Sequence, residues 1–262
     1  MASPDSKTDI CNLALRRIGH AAVTAAEITA NTATNAIHCN LQYEQTRDAF
    51  QRSHLWRFNK AKIRLASAWA TAKVYTTDQY VLNDSVWYKC KSAHTSGTLD
   101  DEPGTGAVAG TYWTTKVTAT DMTPAFEYTY HFDLPADYLN RRYVYEDNAA
   151  RKTSYTYHVE GNKLLTDDAT VDLVYSKQET TVSNFDPLYI EVLYLTLAKK
   201  FATAIAKSPK LEEGIREELK PLMSKVRALD KQEQNTKGYY DHYTHNAARR
   251  GYGHRIPSQM GS

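Results

Sequence analysis

Asp186-Pro187 followed by Ile190, Leu193, Leu197, Phe201 and Ile205 constrains this chain more than any other stretch. A carboxylate at the N-cap accepts from the first orphan backbone N–H groups, and proline at the first helical position has no N–H to lose. The apolar residues that follow recur at three and four, so they form one stripe and predict a helix central to the core. Ser208-Pro209 repeats the start signal. Leu211, Ile215, Leu222, Val226 and Leu229 then predict a second helix, with Glu212 and Glu213 at its positive end and Pro221 placed to kink it.

The amino-terminal part is also helical in pattern. Ile10, Leu13, Ala14 and Ile18 fall at helical spacing, Ser6 to Asp9 approximates a capping box, and Gly19 is placed to end the helix. After an Ala/Thr-rich connection, Asn31 or Thr32 is the expected cap of a further helix running to about Ser53. Its stripe is Ala33, Ala36, Asn40, Tyr43, Arg47 and Phe50, widened by Ile37 and Leu41. Polar Asn40 and Arg47 on that stripe mark a candidate face for a neighbouring subunit, with a salt-bridged surface as the plainer reading.

Between the helical ends the pattern changes to strands. Gln79–Leu82, Val86–Cys90, Glu127–His131, Leu139–Tyr145, Tyr155–Val159, Lys163–Leu165 and Val171–Tyr175 are predicted, with turns at Asn83-Asp84 and Glu160-Gly161-Asn162 and a Gly-rich loop over Asp100–Gly110. The fold expected is α+β: a helical bundle from N- and C-terminal helices packed with an antiparallel sheet, plus a small all-β inserted domain. The expected domains are 1–67 with 118–230 as a discontinuous core, 68–117 as the insertion, and 231–262 as an extended tail.

Several function classes are disfavoured. The apolar run around Leu193–Ile205 is broken by Lys199 and Lys200 and falls short of the ~20 residues of a spanning helix, so no membrane anchor is expected. Met1–Asp9 is polar and acidic, unlike a secretory signal. Cys11, Cys39 and Cys90 are odd in number and widely spaced, which predicts reduced, buried thiols. Cys90 and His94 alone do not complete a zinc shell, and no nucleotide-binding, hydrolase-elbow or metalloprotease motif is present. The expectation is a chain that is not an enzyme and has neither metal nor cofactor. The tail holds five basic residues (Lys231, Lys237, Arg249, Arg250, Arg255) against two acids (Glu233, Asp241). It therefore carries +3 of a formal net charge of +2, leaving the rest at −1.

Four blocks in order carry a resemblance: Cys11-Asn12-Leu13-Ala14-Leu15 with Tyr43, Arg47-Asp48-Ala49-Phe50 and Leu55-Trp56-Arg57-Phe58; Leu134-Pro135-Ala136-Asp137-Tyr138; Val159-Glu160-Gly161-Asn162-Lys163-Leu164-Leu165; and Asn184-Phe185-Asp186-Pro187-Leu188-Tyr189. Over residues 5–66 and 124–230 the chain resembles the tail tubular protein A family, the head-to-tail adaptors of short-tailed phages. That resemblance implies a virion protein, made in the host cytoplasm, that forms a ring of twelve copies between portal protein and tail nozzle. It would be a conduit for genome DNA and a platform for tail fibres. It also implies that the tail docks on the portal, with Tyr239, Tyr240, Tyr243, Arg249, Arg250, Tyr252 and Arg255 as contacts. A lesser reading is DNA contact by the same residues, because aromatics interleaved with arginine serve both uses.

The segment 68–117 has its own likeness. Ala68-Trp69, Val74-Tyr75, Asp78, Val81, Trp87-Tyr88-Lys89-Cys90, His94-Thr95-Ser96, Glu102-Pro103-Gly104 and Tyr112-Trp113 are similar to the small chitin-binding carbohydrate module. Glycan stacking would then fall to Tyr75, Trp87, Tyr88, Tyr112 and Trp113, giving an alternative function as a carbohydrate-binding tail protein. Ser92-Ala93 stands where such modules carry a further aromatic pair. So small a unit also needs large aromatics merely to build a core.

Overall fold

The structure, a computed structural model, describes residues 4–97, 99–114, 117, 122–145 and 157–234. Within them the fold mixes helices and strands. Its contacts divide it into two compact units: one is the described part of Met1–Lys7 and Leu41–Phe185, the other that of Thr8–Asn40 and Asp186–Ser262. The tail residues expected to dock on the portal lie outside the described residues, as do Tyr155 and Thr156 of one predicted strand.

The second unit is helical. α1 (Lys7–Arg17) buries Ile10, Cys11, Ala14 and Leu15. It ends where Gly19 takes φ +75°: Gly19 N–H donates to Arg16 O and His20 N–H to Leu15 O, the paired bonds of a left-handed helix stop. The Ala/Thr-rich connection contains a helix that was not expected, α2 (Ala25–Ala30). Its signal was present as Thr24-x-x-Glu27. The Thr24 hydroxyl accepts from Glu27 N–H while the Glu27 carboxylate accepts from Thr24 N–H, a complete capping box. Asn31, expected to start the next helix, instead closes this one in the left-handed region at φ 54°.

α3 (Thr34–Ser53) runs as long as predicted, with residues to Asn40 in the second unit and those from Leu41 in the first. α5 (Pro187–Ala204) begins as the sequence demands, Asp186 accepting from Leu188 N–H at 2.8 Å. Burial on it is wider than one stripe, because Val192, Leu195, Ala198 and Ala202 are enclosed along with Ile190, Leu193, Leu197 and Phe201. It packs on α6 (Pro209–Gln234), which continues through Pro221 as one element, and Arg17 pairs with Glu218 at 2.5 Å to tie α1 to α6.

The first unit holds the strands. β1 (Lys60–Ala68), β3 (Tyr80–Asn83), β4 (Val86–Lys89), β7 (Tyr138–Tyr145) and β10 (Val171–Lys177) form one sheet in the order β4-β3-β1-β10-β7. Its neighbours are antiparallel except β1 and β3, which run parallel with Ala66, Ser67 and Ala68 opposite Tyr80, Val81 and Leu82. The sheet is therefore mixed, not antiparallel as expected. Two strands of segment 68–117 are members of this same sheet, and the segment also contains a helical turn, α4 (Ala109–Tyr112). The boundaries expected at 67/68 and 117/118 do not coincide with the division into units. β2 (Val74–Tyr75) pairs with β5 (His94–Thr95), and β6 (Tyr130–Asp133), β9 (Lys163–Thr166) and β8 (Tyr157–Glu160) make a separate antiparallel sheet.

Turn chemistry fixes both hairpins. Asp84 and Ser85 at φ 47° and 64° make the two-residue turn of β3–β4, and Gly161 at φ +55° opens that of β8–β9. Leu65, Trp87, Phe132, Leu134, Val144, Leu164, Val171, Leu173 and Tyr175 pack as one core of this unit, while Tyr75, Val81, Cys90, Ala109 and Trp113 make a second.

Candidate functional site

The longest strand of the sheet was not predicted, and it supplies the most distinctive surface of the first unit. β1 reads Lys60-Ala61-Lys62-Ile63-Arg64-Leu65, charged and apolar by turns. Successive side chains of a strand point to opposite faces, so Leu65 enters the core while Lys60 and Lys62 are exposed on the other side. Register carries that face across the sheet. Lys62 lies opposite Val174, and Val174 opposite Tyr143; Arg64 lies opposite Asp172, and Asp172 opposite Tyr145.

The result is a groove of about 500 Å³ lined by Lys60, Lys62, Arg64, Lys73, Tyr143, Tyr145 and Asp172, with Ile63, Val74, Leu173 and Val174 between them. Four cations stand against one carboxylate, a net charge of +3. The carboxylate is already committed. Arg64 Nε and a terminal nitrogen of its guanidinium donate to the two Asp172 oxygens at 2.7 and 3.0 Å, a fork that fixes the guanidinium against the carboxylate. Lys73 donates to Ala68 O at 3.1 Å, its ammonium 5.6 Å from the centre of the Tyr75 ring. The ammonium groups of Lys60 and Lys62 have no acidic partner among the described residues. Tyr143 and Tyr145 project from one face of β7 with ring centres 6.3 Å apart and both rings partly exposed. Sequence reasoning missed Lys60, Lys62 and Arg64 because β1 was not read as a strand, although its strict alternation was the available signal; Tyr143, Tyr145 and Asp172 lay on predicted strands but were not singled out.

The aromatics of segment 68–117 lie elsewhere and do other work. Tyr75 is wholly buried, Trp87 is 7% exposed and Trp113 2%. Trp113 donates to Asp101 O at 2.6 Å and meets the Tyr75 ring edge-on at 5.1 Å, while Trp87 packs edge-on against Phe132 at 5.5 Å. Three of the five residues assigned to glycan stacking thus present no ring face to solvent. Trp87 is spent on the core it shares with Phe132, and Tyr75 and Trp113 on the second core with Val81 and Cys90. The Tyr88 hydroxyl packs over Gly104, at φ +88°, where a Cβ would collide with it. Tyr112 stacks on His94 at 4.1 Å. His94 Nδ1 is 2.9 Å from Ser92 O and 3.9 Å from Cys90 Sγ, and burial pushes the Cys90 thiol up.

Asn40 and Arg47 also have local work. The Asn40 amide donates to Ile28 O at 2.8 Å and to Asn31 Oδ1 at 2.9 Å, tying the end of α2 to α3. Arg47 is 7% exposed, pairs with Asp48 at 2.7 Å and lies against the Tyr43 ring. Burial alone would lower its pKa, but Asp48, with Tyr43 and Glu44, outweighs that and holds it up. Asn40 is half-buried, and Arg47 lies almost wholly inside. The buried face of α3 runs through Ala36, Cys39, Tyr43, Thr46, Phe50 and Gln51, leaving Leu41 on the open side at 58% exposure.

No protein-family model matches the chain, and no curated protein matches it.

Proposed function

We propose that the chain is a structural subunit of a head-to-tail adaptor ring, seated between portal and nozzle and forming part of the path for the genome. The observation that carries this reading is the ordered series of four sequence blocks, and the local structure of those blocks supports it. Each sits where the chain turns or is clamped. In the first, Cys11, Ala14 and Leu15 are buried, and the Asn12 amide exchanges hydrogen bonds of 2.9 and 2.8 Å with the Val23 backbone. Trp56, in the same block, is buried and donates to Phe50 O at 3.1 Å. In the second, Asp137 accepts from the Tyr175 hydroxyl at 2.9 Å and its carbonyl from Gln178 N–H at 2.6 Å, fixing the β6–β7 connection. The third is the β8–β9 hairpin and the fourth is the capped start of α5. Four blocks of this kind hold the framework in place by their own local contacts.

In this reading the ring is built by heterologous contacts, one face of each subunit meeting a different face of the next. The carboxy-terminal residues, outside the described residues, dock on the portal, and assembly waits until a portal supplies many contacts at once. Electron microscopy and sedimentation of the purified chain, alone and with its portal protein, test this for the full chain and for a version ending at Gln234. Rings that form on the portal and need the last residues are expected. Absence of association by the full chain overturns the adaptor reading, and stable rings without portal overturn the order of assembly.

A further inference from the structure

We infer that the groove on the open face of the five-stranded sheet binds single-stranded nucleic acid, with its phosphates along β1 and its bases on β7. The inference rests on the groove alone and not on the adaptor reading. A single strand asks two things of a protein surface: a row of cations that follows the backbone, and aromatic faces on which unstacked bases can lie. Here the two are side by side and held in register by the sheet. Lys60 and Lys62 are two residues apart on one strand, so their stems start about 6.6 Å apart and point the same way. Lys73 adds a third ammonium at the rim beside exposed Val74. Tyr143 and Tyr145 are likewise two apart on β7, which lies two strands from β1, about 9.6 Å away across β10.

The floor between the rows is suited to a base more than to an acidic peptide. The Arg64–Asp172 fork, partly exposed, gives it a guanidinium, a planar cation that stacks on aromatic heterocycles, above Val174, which is 6% exposed. Asp172 is neutralised by its fork, so it does not repel a phosphate as an unpaired carboxylate would. An acidic peptide would meet the lysines but brings no base to lie against the Tyr143 and Tyr145 rings. A duplex hides its base faces within the stack, so it would do the same.

The test is binding of a short fluorescent oligothymidylate to the full chain, with a 5-iodouracil copy for photocross-linking and peptide mapping. Binding that weakens with salt is expected, with cross-links in the peptide that holds Tyr143 and Tyr145. Replacing Lys60 and Lys62 by alanine removes two phosphate contacts from exposed positions and lowers the salt slope by about 1.4. Tyr143→Ala and Tyr145→Ala each weaken binding roughly 5- to 150-fold. Tyr143→Phe and Tyr145→Phe retain it, which separates stacking from a fold defect, and circular dichroism checks every variant. The inference is overturned by absence of binding, by cross-links confined to residues 235–262, by a duplex that binds as tightly as the single strand, or by polyglutamate that displaces the oligonucleotide at equal charge concentration.

Discussion

Replacing Trp113 by alanine separates a core residue from a sugar platform. The indole is 2% exposed, donates to Asp101 O, and contacts Tyr75 and His94 edge-on at 5.1 and 5.0 Å. Truncating a buried tryptophan costs about 3–5 kcal/mol through lost transfer energy and the cavity left behind. The Asp101 carbonyl, stripped of its partner, moves the cost toward the upper end. Total stability of a domain is about 5–15 kcal/mol, so the substitution consumes a large fraction of it. For a unit of this size the melting temperature falls by roughly 6–20 °C. Trp113→Phe keeps most of the apolar volume, loses the hydrogen bond with the rest, and falls between parent and alanine. Thermal melts by circular dichroism and urea titrations read the loss, and retention on chitin beads is measured on the same samples. If Trp113→Ala melts with the parent and loses a chitin retention the parent possessed, the indole is a sugar platform and its assignment to the core is wrong.

Three further outcomes are expected. Gln51 is fully buried and its amide both donates to Glu179 O at 2.8 Å and accepts from Glu179 N–H at 3.0 Å, so Gln51→Leu strands two backbone groups and costs about 1–3 kcal/mol for each, read by urea denaturation. Burial pushes Asp133 up, but the Tyr80 hydroxyl at 2.6 Å, Lys163 and Lys89 outweigh it and hold the carboxyl below its ordinary value. A lowered acid contributes stability above the unfolded-state value near 3.8 and loses it as pH falls through the folded value, so Asp133→Asn flattens the melting temperature against pH below about pH 4; an unchanged acid limb refutes this. Asp186→Ala removes the cap of α5 and lowers stability by about 1 kcal/mol, and Asp186→Asn restores most of it.

How far the chain could be read without a structure depended on how local each signal was. The start of α5, the stop after α1 and the turns at Asp84 and Gly161 depend on a few neighbouring residues, and they lie where the sequence put them. α2 was missed although its capping box was written out, because a six-residue helix has too little apolar periodicity to register. β1 was missed for another reason: three cations in five residues look like a solvated loop until their alternation with Ala61, Ile63 and Leu65 is counted. Exposure of the segment's aromatics was not legible at all. Tyr75, Trp87 and Trp113 have the same side chains whether they stack on a ligand or on one another, and only the packing of distant strands decides. Asn40 and Arg47 illustrate the same limit, since their polarity was visible and their partners at Ile28, Asn31 and Asp48 were not.

The parallel pairing of β1 with β3 bears on whether this chain could do without its middle. A module joined only through its two ends can be lost or transplanted without touching its host. Here Ala66–Ala68 hydrogen-bond with Tyr80–Leu82, so removing residues 69–116 would leave the last turn of β1 with a bare edge of N–H and C=O groups. Such an edge recruits strands from other molecules. The segment is therefore a permanent hem on the sheet, and a shortened descendant would have to find a new one before it could remain soluble.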